Sequence, residues 1–219
     1  MIINKLTTIE SEIQSKITEF KLSNLDPKII AVSKTFPIKD ILPLINHGHC
    51  HFGENKVQEA IEKWSDIKIK NKSLKLHMVG KLQSNKVKYV VNLFDYIHSL
   101  DNLKLAETIS REQIKKAKNL KIFIQVNLGK EDQKSGIYPE KVKEFFDICK
   151  NDLNLNIIGL MCIPPNAINV EDFFYQMNKL KEQLGLNELS MGMSNDYIDA
   201  IKSGATFVRI GSKIFGKRD

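Results

Sequence analysis

The sequence is short of cysteine and of long apolar runs. Its only three cysteines, Cys50, Cys149 and Cys162, are widely separated and form no Cys-x-x-Cys pair. An odd, scattered set of this kind excludes a disulfide framework and is typical of a reducing compartment. No run of about 18 apolar residues occurs, and the first residues alternate polar and apolar, unlike a signal peptide. We therefore expect a cytoplasmic protein without a membrane partner.

Arginine is scarce as well. Of the 33 basic residues only Arg111, Arg209 and Arg218 are arginines, and the formal net charge is +7. A positive charge of this size can indicate nucleic-acid binding, but the lysines are scattered over predicted helices rather than gathered into one stripe. No RNP, zinc-finger or KH signature occurs either. We expect no nucleic-acid partner.

No Gly/Ser-rich linker, low-complexity tract or block of like charge divides the chain, so we expect residues 1–219 to form one domain. Short apolar or β-branched runs recur along it, and segments with helical spacing of apolar residues lie between them. The predicted strands are residues 28–33, 49–53, 75–79, 94–98, 121–127, 156–160, 188–190 and 206–210.

Seven helices are predicted between these strands, and a further amphipathic helix, over about residues 2–21, precedes the first strand. Strands that alternate with helices predict a parallel sheet with right-handed crossovers. Eight strands and eight helices can close into a single (β/α)8 or TIM barrel of the α/β class, with the extra N-terminal helix covering the gap beside the last strand. A doubly wound open sheet is the alternative.

Two helices carry recognisable ends. The helix over residues 103–117 has Asp101 as its expected N-cap, and Ile114 belongs to its expected inward face. The last predicted helix is expected to begin with Ser194 as its cap and to end at Gly204.

The loops at the C-terminal ends of the strands form the functional face of such a barrel. After strands 7 and 8 they read MGMSN and GSKIFG. Ser194 supplies a hydroxyl beside the N–H groups of a helix start, Gly211 lets a ligand approach the backbone, and Ser212 adds a second hydroxyl. Either loop alone is typical of a helix cap or a turn. On adjacent strands they predict a phosphate site.

Lys34 and Arg209 extend this site. Lys34 ends the apolar run of the first strand, and an amine at the rim of a barrel core can form a Schiff base with an aldehyde. Arg209 stands just before Gly211 in a chain poor in arginine, which suggests a need for a guanidinium. Pyridoxal 5′-phosphate has an aldehyde, a phosphate and a ring nitrogen that takes an Asp or Arg partner. A snorkelling lysine and a surface arginine are the alternatives.

Four segments carry a family resemblance: AVSKT, HFGENKVQE, HMVGKLQSNK and LSMGMSNDYIDAIKSGATFVRIGSKIFG. They closely resemble the pyridoxal phosphate homeostasis proteins, the YggS/PROSC family, from about Lys28 to the C-terminus. The resemblance implies a barrel like the N-terminal domain of alanine racemase. It also implies the cofactor-binding residues: Lys34 for the covalent Schiff base, Ser194, Gly211 and Ser212 for the phosphate, Arg209 for the pyridine nitrogen, and Asn55 and Met193 lining the cofactor.

The sequence departs from the family at two positions beside the phosphate site. Ser212 stands where many members have threonine, and it keeps the hydroxyl. Lys213 occupies a position that is often small and apolar, where a lysine can add positive charge near the phosphate, and the sequence leaves its role open.

The motif HGHCH, residues 47–51, looks like a metal cluster. On a strand, however, His49 and His51 would share one face while Cys50 points away, which leaves too few converging ligands. We expect no metal site.

Holding and catalysis make different demands on these residues. An arginine cannot give up a proton in practice, so the pyridine is expected to stay unprotonated and to be a weak electron sink. Racemisation needs an acid/base group on each face of the substrate, and Lys34 could serve one. The racemases that this barrel resembles bring a tyrosine with a second domain, whereas this chain stops at Asp219. Tyr138 alone lies near the predicted mouth, and we expect it on a helix surface.

We therefore expect a protein that holds pyridoxal phosphate reversibly and serves intracellular vitamin B6 homeostasis, without robust catalysis. Its partners would be the cofactor and apo forms of enzymes that use pyridoxal phosphate, and a monomer is favoured. A racemase-like enzyme and a barrel for an unrelated phosphorylated metabolite are the two alternatives.

Overall fold

The computed structural model describes residues 2–131, 133–165 and 169–216. Within them eight parallel strands form a closed barrel in chain order, because the first strand pairs with both the second and the eighth. This confirms the predicted TIM barrel over the open sheet, and a strand is found at each predicted place. The strands are β1 (Lys28–Val32), β2 (His51–Glu54), β3 (Lys75–Met78), β4 (Tyr96–Leu100), β5 (Lys121–Val126), β6 (Ile157–Cys162), β7 (Glu188–Met193) and β8 (Phe207–Ile210).

Helices connect the strands and surround the barrel. The predicted N-terminal helix is present as α1, which buries one apolar stripe and packs against α2, α8 and α9 beside the last strand. None of the helices in the described residues is both long and apolar enough to cross a membrane. The helices are α1 (Ile2–Glu19), α2 (Ile38–Asn46), α3 (Val57–Lys70), α4 (Val87–Leu93), α5 (Leu103–Lys116), α6 (Val142–Asp147), α7 (Glu171–Gln183), α8 (Tyr197–Lys202) and α9 (Ser212–Phe215).

The start and the inward face of α5 differ from the prediction. Asn102, not Asp101, is the N-cap, and its side-chain oxygen accepts a hydrogen bond from the Leu105 N–H at 2.9 Å. Ile114 is 79% exposed. The buried stripe passes instead through Gln113, which follows the buried Ile109 by four residues and accepts the Leu120 N–H.

The prediction for α8 was half right. Gly204 ends the helix with a φ of +89°, a conformation that favours glycine. Ser194 is not the cap, because α8 begins only after Asp196. The Asp196 carboxylate instead accepts the N–H of Met193, which stabilises the turn between β7 and α8.

The barrel interior has a separate composition from the layer between strands and helices. Its apolar cluster is small and contains Ile30, Val32, Tyr96, Phe123, Met161 and Phe207. Polar side chains share this interior and are almost fully buried: His77, His98, Ser190 and Arg209. A buried polar group destabilises the folded state unless it is hydrogen-bonded, so these four side chains need hydrogen-bond partners inside the barrel.

Candidate functional site

A cavity of about 560 Å³ opens at the C-terminal ends of β1, β6, β7 and β8. This is the face on which TIM barrels place their functional loops. Six of the seven site residues expected from the sequence line it: Lys34, Met193, Ser194, Arg209, Gly211 and Ser212.

Asn55, the seventh residue, is not among the lining residues. Asn55 follows β2. The backbone at Gly80 packs tightly against it, since a Cβ on Gly80 would lie 2.4 Å from the Asn55 backbone oxygen. The side-chain oxygen of Asn55 is buried and has no hydrogen-bond partner in the described ranges. Asn55 thus lies just after the C-terminal end of β2 without lining the cavity.

Lys34 is half-buried and lies between two residues that the protein holds firmly. Ser33 continues the β1 pairing, since its N–H donates to the Gly53 carbonyl at 3.0 Å. Thr35 has a φ of +70°, an uncommon conformation for a β-branched residue. Its N–H donates to Glu59 Oε1 at 2.6 Å, a bond that helps to maintain this strained backbone.

The segment around Lys34 is tied to a buried charge network, here called the Lys63 network and made of Ser33, Glu54, Glu59 and Lys63. The Lys63 ammonium donates to Glu54 Oε1, to Glu59 Oε1 and to the Ser33 carbonyl, each at 2.9 Å. Glu54 is fully buried, and its Oε1 also accepts the Ser33 hydroxyl at 2.8 Å and the Trp64 indole N–H at 2.9 Å. The network fixes the backbone on both sides of Lys34.

Glu59 shows the electrostatic effect of this network. Partial burial alone would raise its pKa, but the hydrogen bonds from Lys63 and from the Thr35 N–H outweigh it, so the pKa lies below the usual value. Glu59 is therefore ionised at neutral pH and keeps its hold on both groups.

Arg209 lies at the floor of the cavity and is 5% exposed. Its Nη1 donates to Ser190 Oγ and its Nη2 to the Cys162 carbonyl, each at 2.8 Å. Burial lowers the pKa of the guanidinium, which nonetheless stays charged at neutral pH. Among the residues that the structure describes, no carboxylate forms an ion pair with it. Two of its N–H groups are thus anchored, and the cation lines the cavity.

The loops after β7 and β8 form another part of the cavity wall, next to β1. Ser194 is buried, and its Oγ accepts only a long bond from the Lys213 N–H, at 3.4 Å. Gly211 has a φ of −114°, and a Cβ there would meet the Val32 carbonyl oxygen at 3.4 Å, an ordinary contact. Packing therefore does not require glycine at 211. At Gly192 it does, because φ is +87° and a Cβ would clash with Ala200.

Lys213 does not face the cavity. Its Nζ lies 3.2 Å from the Tyr197 hydroxyl and 3.9 Å from Glu12 of α1. The side chain connects α9 to α8 and α1, and it is not among the described lining residues of the cavity.

The sequence analysis missed two carboxylates of the cavity, Asp196 and Asp199. Burial and then the neighbouring charges of Glu171 and Asp196 raise the pKa of Asp199. Both follow Ser194 within five positions, at the predicted start of a helix. Acidic residues are common there for a purely structural reason, so nothing in the sequence marks these two as cavity residues. They add negative charge to the part of the cavity that Ser194 and Ser212 line, here called the serine side.

The HGHCH motif has a structural explanation. His49 precedes β2 and its Nε2 lies 2.9 Å from the His51 carbonyl, whereas the His51 ring reaches His77 on β3. Across the described ranges no three His, Cys, Asp or Glu side chains converge as metal ligands. The sequence analysis missed His77 and His98, although both fall within predicted strands.

Comparisons with known proteins agree with this geometry. The alanine racemase N-terminal domain model matches residues 11–219. A pyridoxal phosphate homeostasis protein of Pasteurella multocida is 39% identical, over 98% of this chain and 96% of its own. That of Aquifex aeolicus is 40% identical, over 87% of each chain.

Solved structures extend the comparison. PipY of Synechococcus elongatus, solved with PLP bound, has a TM-score of 0.85 and 33% identity, and the match covers 99% of this chain and 100% of PipY. An alanine racemase of Clostridium difficile shares the fold alone, with a TM-score of 0.69, 15% identity and 94% of this chain against 56% of the racemase. The chain therefore belongs to the alanine racemase N-terminal domain family and, within it, to the pyridoxal phosphate homeostasis proteins.

Proposed function

We propose that this chain holds pyridoxal 5′-phosphate reversibly in the cavity and so serves intracellular vitamin B6 homeostasis. The observation that carries the proposal is the convergence of an amine, a buried guanidinium and two hydroxyls on one cavity, from Lys34, Arg209, Ser194 and Ser212. The homeostasis proteins and the PLP-bound PipY named above support the same ligand.

The residues present fit this cofactor. Arg209 is a buried cation that has no ion-pair partner in the described part of the chain, and it has N–H groups beyond the two that are anchored. Neither the backbone conformation nor the packing at residue 211 requires a glycine. The close approach of a ligand to the loop accounts for the glycine at this position. Ser194 and Ser212 line the same cavity as Gly211.

Each residue then has one role. The bound cofactor supplies an aldehyde that condenses reversibly with a primary amine. Lys34 presents that amine from a backbone fixed by the Lys63 network. Arg209 would donate a hydrogen bond to the ring nitrogen, and Ser194, Ser212 and the Gly211 backbone would hold the phosphate. We also place Met193 against the cofactor and Asn55 just outside the lining.

The strength of binding follows from the phosphate contacts. Hydrogen bonds to a charged group contribute roughly 1.5–3 kcal/mol each. Three or four of them reach the roughly 8 kcal/mol that micromolar binding needs. Binding should thus persist without the covalent bond to Lys34.

Holding, rather than catalysis, is supported by Arg209. A guanidinium does not supply a proton, so it keeps the ring nitrogen unprotonated and limits the electron withdrawal that most catalysis with this cofactor needs. Tyr138, the one tyrosine near the predicted mouth, precedes the 3-10 turn Pro139–Lys141 and is not among the described lining residues of the cavity.

We further propose a cytoplasmic monomer that passes the cofactor to apo-enzymes. The three cysteines are free thiols, which suits a reducing compartment. The homeostasis proteins are about as long as this chain, whereas 44% of the racemase chain (100 minus the 56% covered) has no counterpart in the match.

The test is to incubate the protein with pyridoxal phosphate, reduce it with borohydride and map the modified lysine by peptide mass spectrometry. We expect one adduct, on Lys34. Lys34→Ala should lose it but still bind the cofactor by calorimetry, whereas the control Lys213→Ala should keep both, because that amine faces Tyr197.

Three results would contradict the proposal. Adducts spread over many of the 30 lysines (33 basic residues minus three arginines) would remove Lys34 from its role. No calorimetric binding by Lys34→Ala would remove the phosphate anchor. Turnover of an L-amino acid to its D-form above the rate of free cofactor would favour the racemase-like enzyme.

A further inference from the structure

A row of hydrogen bonds crosses the barrel interior and ends at Arg209. His51 Nδ1 lies 2.9 Å from His77 Nε2, and His77 Nδ1 lies 2.9 Å from His98 Nε2. His98 Nδ1 lies 2.9 Å from Ser190 Oγ, the oxygen to which Arg209 Nη1 donates at 2.8 Å. We call His51, His77, His98 and Ser190 the histidine chain.

The histidine chain connects two ends of the barrel. His77, His98 and Ser190 are fully buried. His51 is half-buried and lines a second cavity, at the N-terminal ends of the strands, together with Lys28. Aromatic rings hold the middle in place, since the His98 ring stacks on Phe123 and the His77 ring on Tyr96. Such a row of polar groups inside an apolar core is costly unless every member is satisfied.

Arg209 sets the direction of the donors. A guanidinium has no acceptor, so Arg209 must donate to Ser190 Oγ. In the described ranges the Ser190 hydroxyl hydrogen has one acceptor, His98 Nδ1. His98 then carries its hydrogen on Nε2 and donates to His77, which does the same toward His51.

The opposite direction leaves a group unsatisfied. If each ring carried its hydrogen on Nδ1, His98 and Arg209 would both donate to Ser190, and the Ser190 hydroxyl hydrogen would be buried without an acceptor. An unsatisfied buried donor costs about 1–3 kcal/mol, a factor of at least about five in population at 298 K. One arrangement of hydrogens is therefore strongly favoured.

We propose that the histidine chain is the positioning element of Arg209. In the favoured direction the Ser190 hydroxyl hydrogen is committed to His98 Nδ1, which fixes the orientation of the hydroxyl that accepts from Nη1, while the Cys162 carbonyl holds Nη2. The guanidinium plane is thereby fixed from below, with its remaining N–H groups left for the ring nitrogen of the cofactor. This step rests on the proposed function.

Arg209 at the end of the histidine chain excludes proton delivery to the ring nitrogen. A proton that enters at His51 would have to reach the ring nitrogen through Arg209, and a guanidinium cannot pass it on because it does not accept one. Ser190 and His98 are thus positioning residues, and the ring nitrogen faces a donor that is not a proton source.

The first test needs no cofactor. In protein labelled with ¹⁵N-histidine, long-range ¹H–¹⁵N spectra at neutral pH should show His51, His77 and His98 as neutral rings with the hydrogen on Nε2. An imidazolium, or a hydrogen on Nδ1 of His77 or His98, would overturn the proposal. This measurement uses the unaltered protein, so it stands whatever a variant does to folding.

The second test addresses Arg209. Ser190→Ala should weaken binding of pyridoxal phosphate about tenfold, because one hydrogen bond to a charged group is lost, and leave the affinity for inorganic phosphate unchanged. The matched control is Ser99→Ala: Ser99 is also buried, on β4, but its hydroxyl has no partner in the described ranges. It should change neither affinity. In Ser190→Ala the His98 tautomer should also become mixed, which a merely structural role would not produce.

Other results would overturn the proposal. One is an equal loss of affinity for pyridoxal phosphate and for inorganic phosphate in Ser190→Ala, which would indicate a general disruption of the cavity. The other is an unchanged affinity for pyridoxal phosphate in that variant. If the unaltered protein bound phosphate but not pyridoxal phosphate, the proposed function would fail, while the histidine spectra would still decide the direction of the chain.

Discussion

The lysine side of the cavity, where β1 ends, is held by buried charges, whereas the serine side, where β7 and β8 end, bonds little to the rest of the protein. On the lysine side the Lys63 ammonium makes three hydrogen bonds of 2.9 Å, and its side chain is 8% exposed. On the serine side the Ser194 hydroxyl accepts one bond of 3.4 Å, and Ser212 is exposed.

The difference matches what the proposed function requires of each side. A residue that forms a covalent bond needs its backbone fixed in advance, and a strained residue such as Thr35 persists only when its surroundings over-determine it. A site for an anion needs donors that are not already used by the protein. Stability and binding should therefore separate: substitutions on the lysine side should reduce stability, and those on the serine side affinity.

The largest effect is expected on the lysine side, from Lys63→Met. This change leaves the fully buried Glu54 without its cation, and breaking a buried pair in this way costs about 3–5 kcal/mol. Denaturant unfolding would measure the loss. Lys143→Met is the control, because its pair with Asp147 is exposed and should contribute less than about 1 kcal/mol. Equal effects of the two changes would mean that the Lys63 network does not fix the Lys34 segment.

On the serine side we expect the double variant Ser194→Ala, Ser212→Ala to bind pyridoxal phosphate roughly 100-fold more weakly, since two hydrogen bonds to the phosphate are lost. Its unfolding free energy should change by less than about 0.5 kcal/mol. Calorimetry and denaturation on the same sample test both statements. Ser73→Ala, at an exposed turn before β3, is the control. A large loss of stability with unchanged affinity would reverse the assignment of this side.

A smaller effect is expected from Glu59→Gln, about 1 kcal/mol at neutral pH, because the side chain keeps an acceptor for the Thr35 N–H but loses its charge. The folded state lowers the pKa of Glu59 below 4.5, so its carboxylate stabilises the protein at higher pH. That contribution is lost as the pH falls through the lowered pKa. Unfolding curves of the two proteins should therefore converge in acid, and a constant difference would contradict the role of the charge.

The smallest effect, of opposite sign, is expected from Asp199→Asn on the serine side. The folded state raises the pKa of Asp199 above 3.8, so the ionised carboxylate destabilises the protein at neutral pH, and the penalty disappears as the pH falls through the raised pKa. The variant should gain a few tenths of a kcal/mol at pH 7 and nothing below about pH 3. It should also bind inorganic phosphate more tightly. A loss of stability at pH 7 would contradict this.

The barrel and most of the site could be predicted because the information is local. Apolar runs alternate with helical spacing, and residues such as Lys34 and Gly211 directly follow runs that had to be strands. The ends of helices are harder to predict, since Asp101 and Asn102 are equally good cap residues, and it is the extended backbone of Asn102 that lets its side chain accept the Leu105 N–H.

What could not be predicted depends on barrel closure. Lys63 reads as a surface lysine four residues after Glu59, and only the packing of α3 against β2 buries it beside Glu54. The bond between His98 and Ser190 joins residues 92 positions apart, across the barrel. No periodicity or spacing in the sequence brings them together.

The pairing of β1 with β8 has a consequence for how the protein is made. Lys34 follows the first strand, whereas Arg209 lies on the last strand and Ser212 begins α9. The two parts of the site therefore come together only once the barrel has closed. A chain emerging from the ribosome would have no site until β8 is synthesised. Because a ligand that binds only the native state stabilises it, cofactor supply during translation would favour completed barrels over partly folded ones.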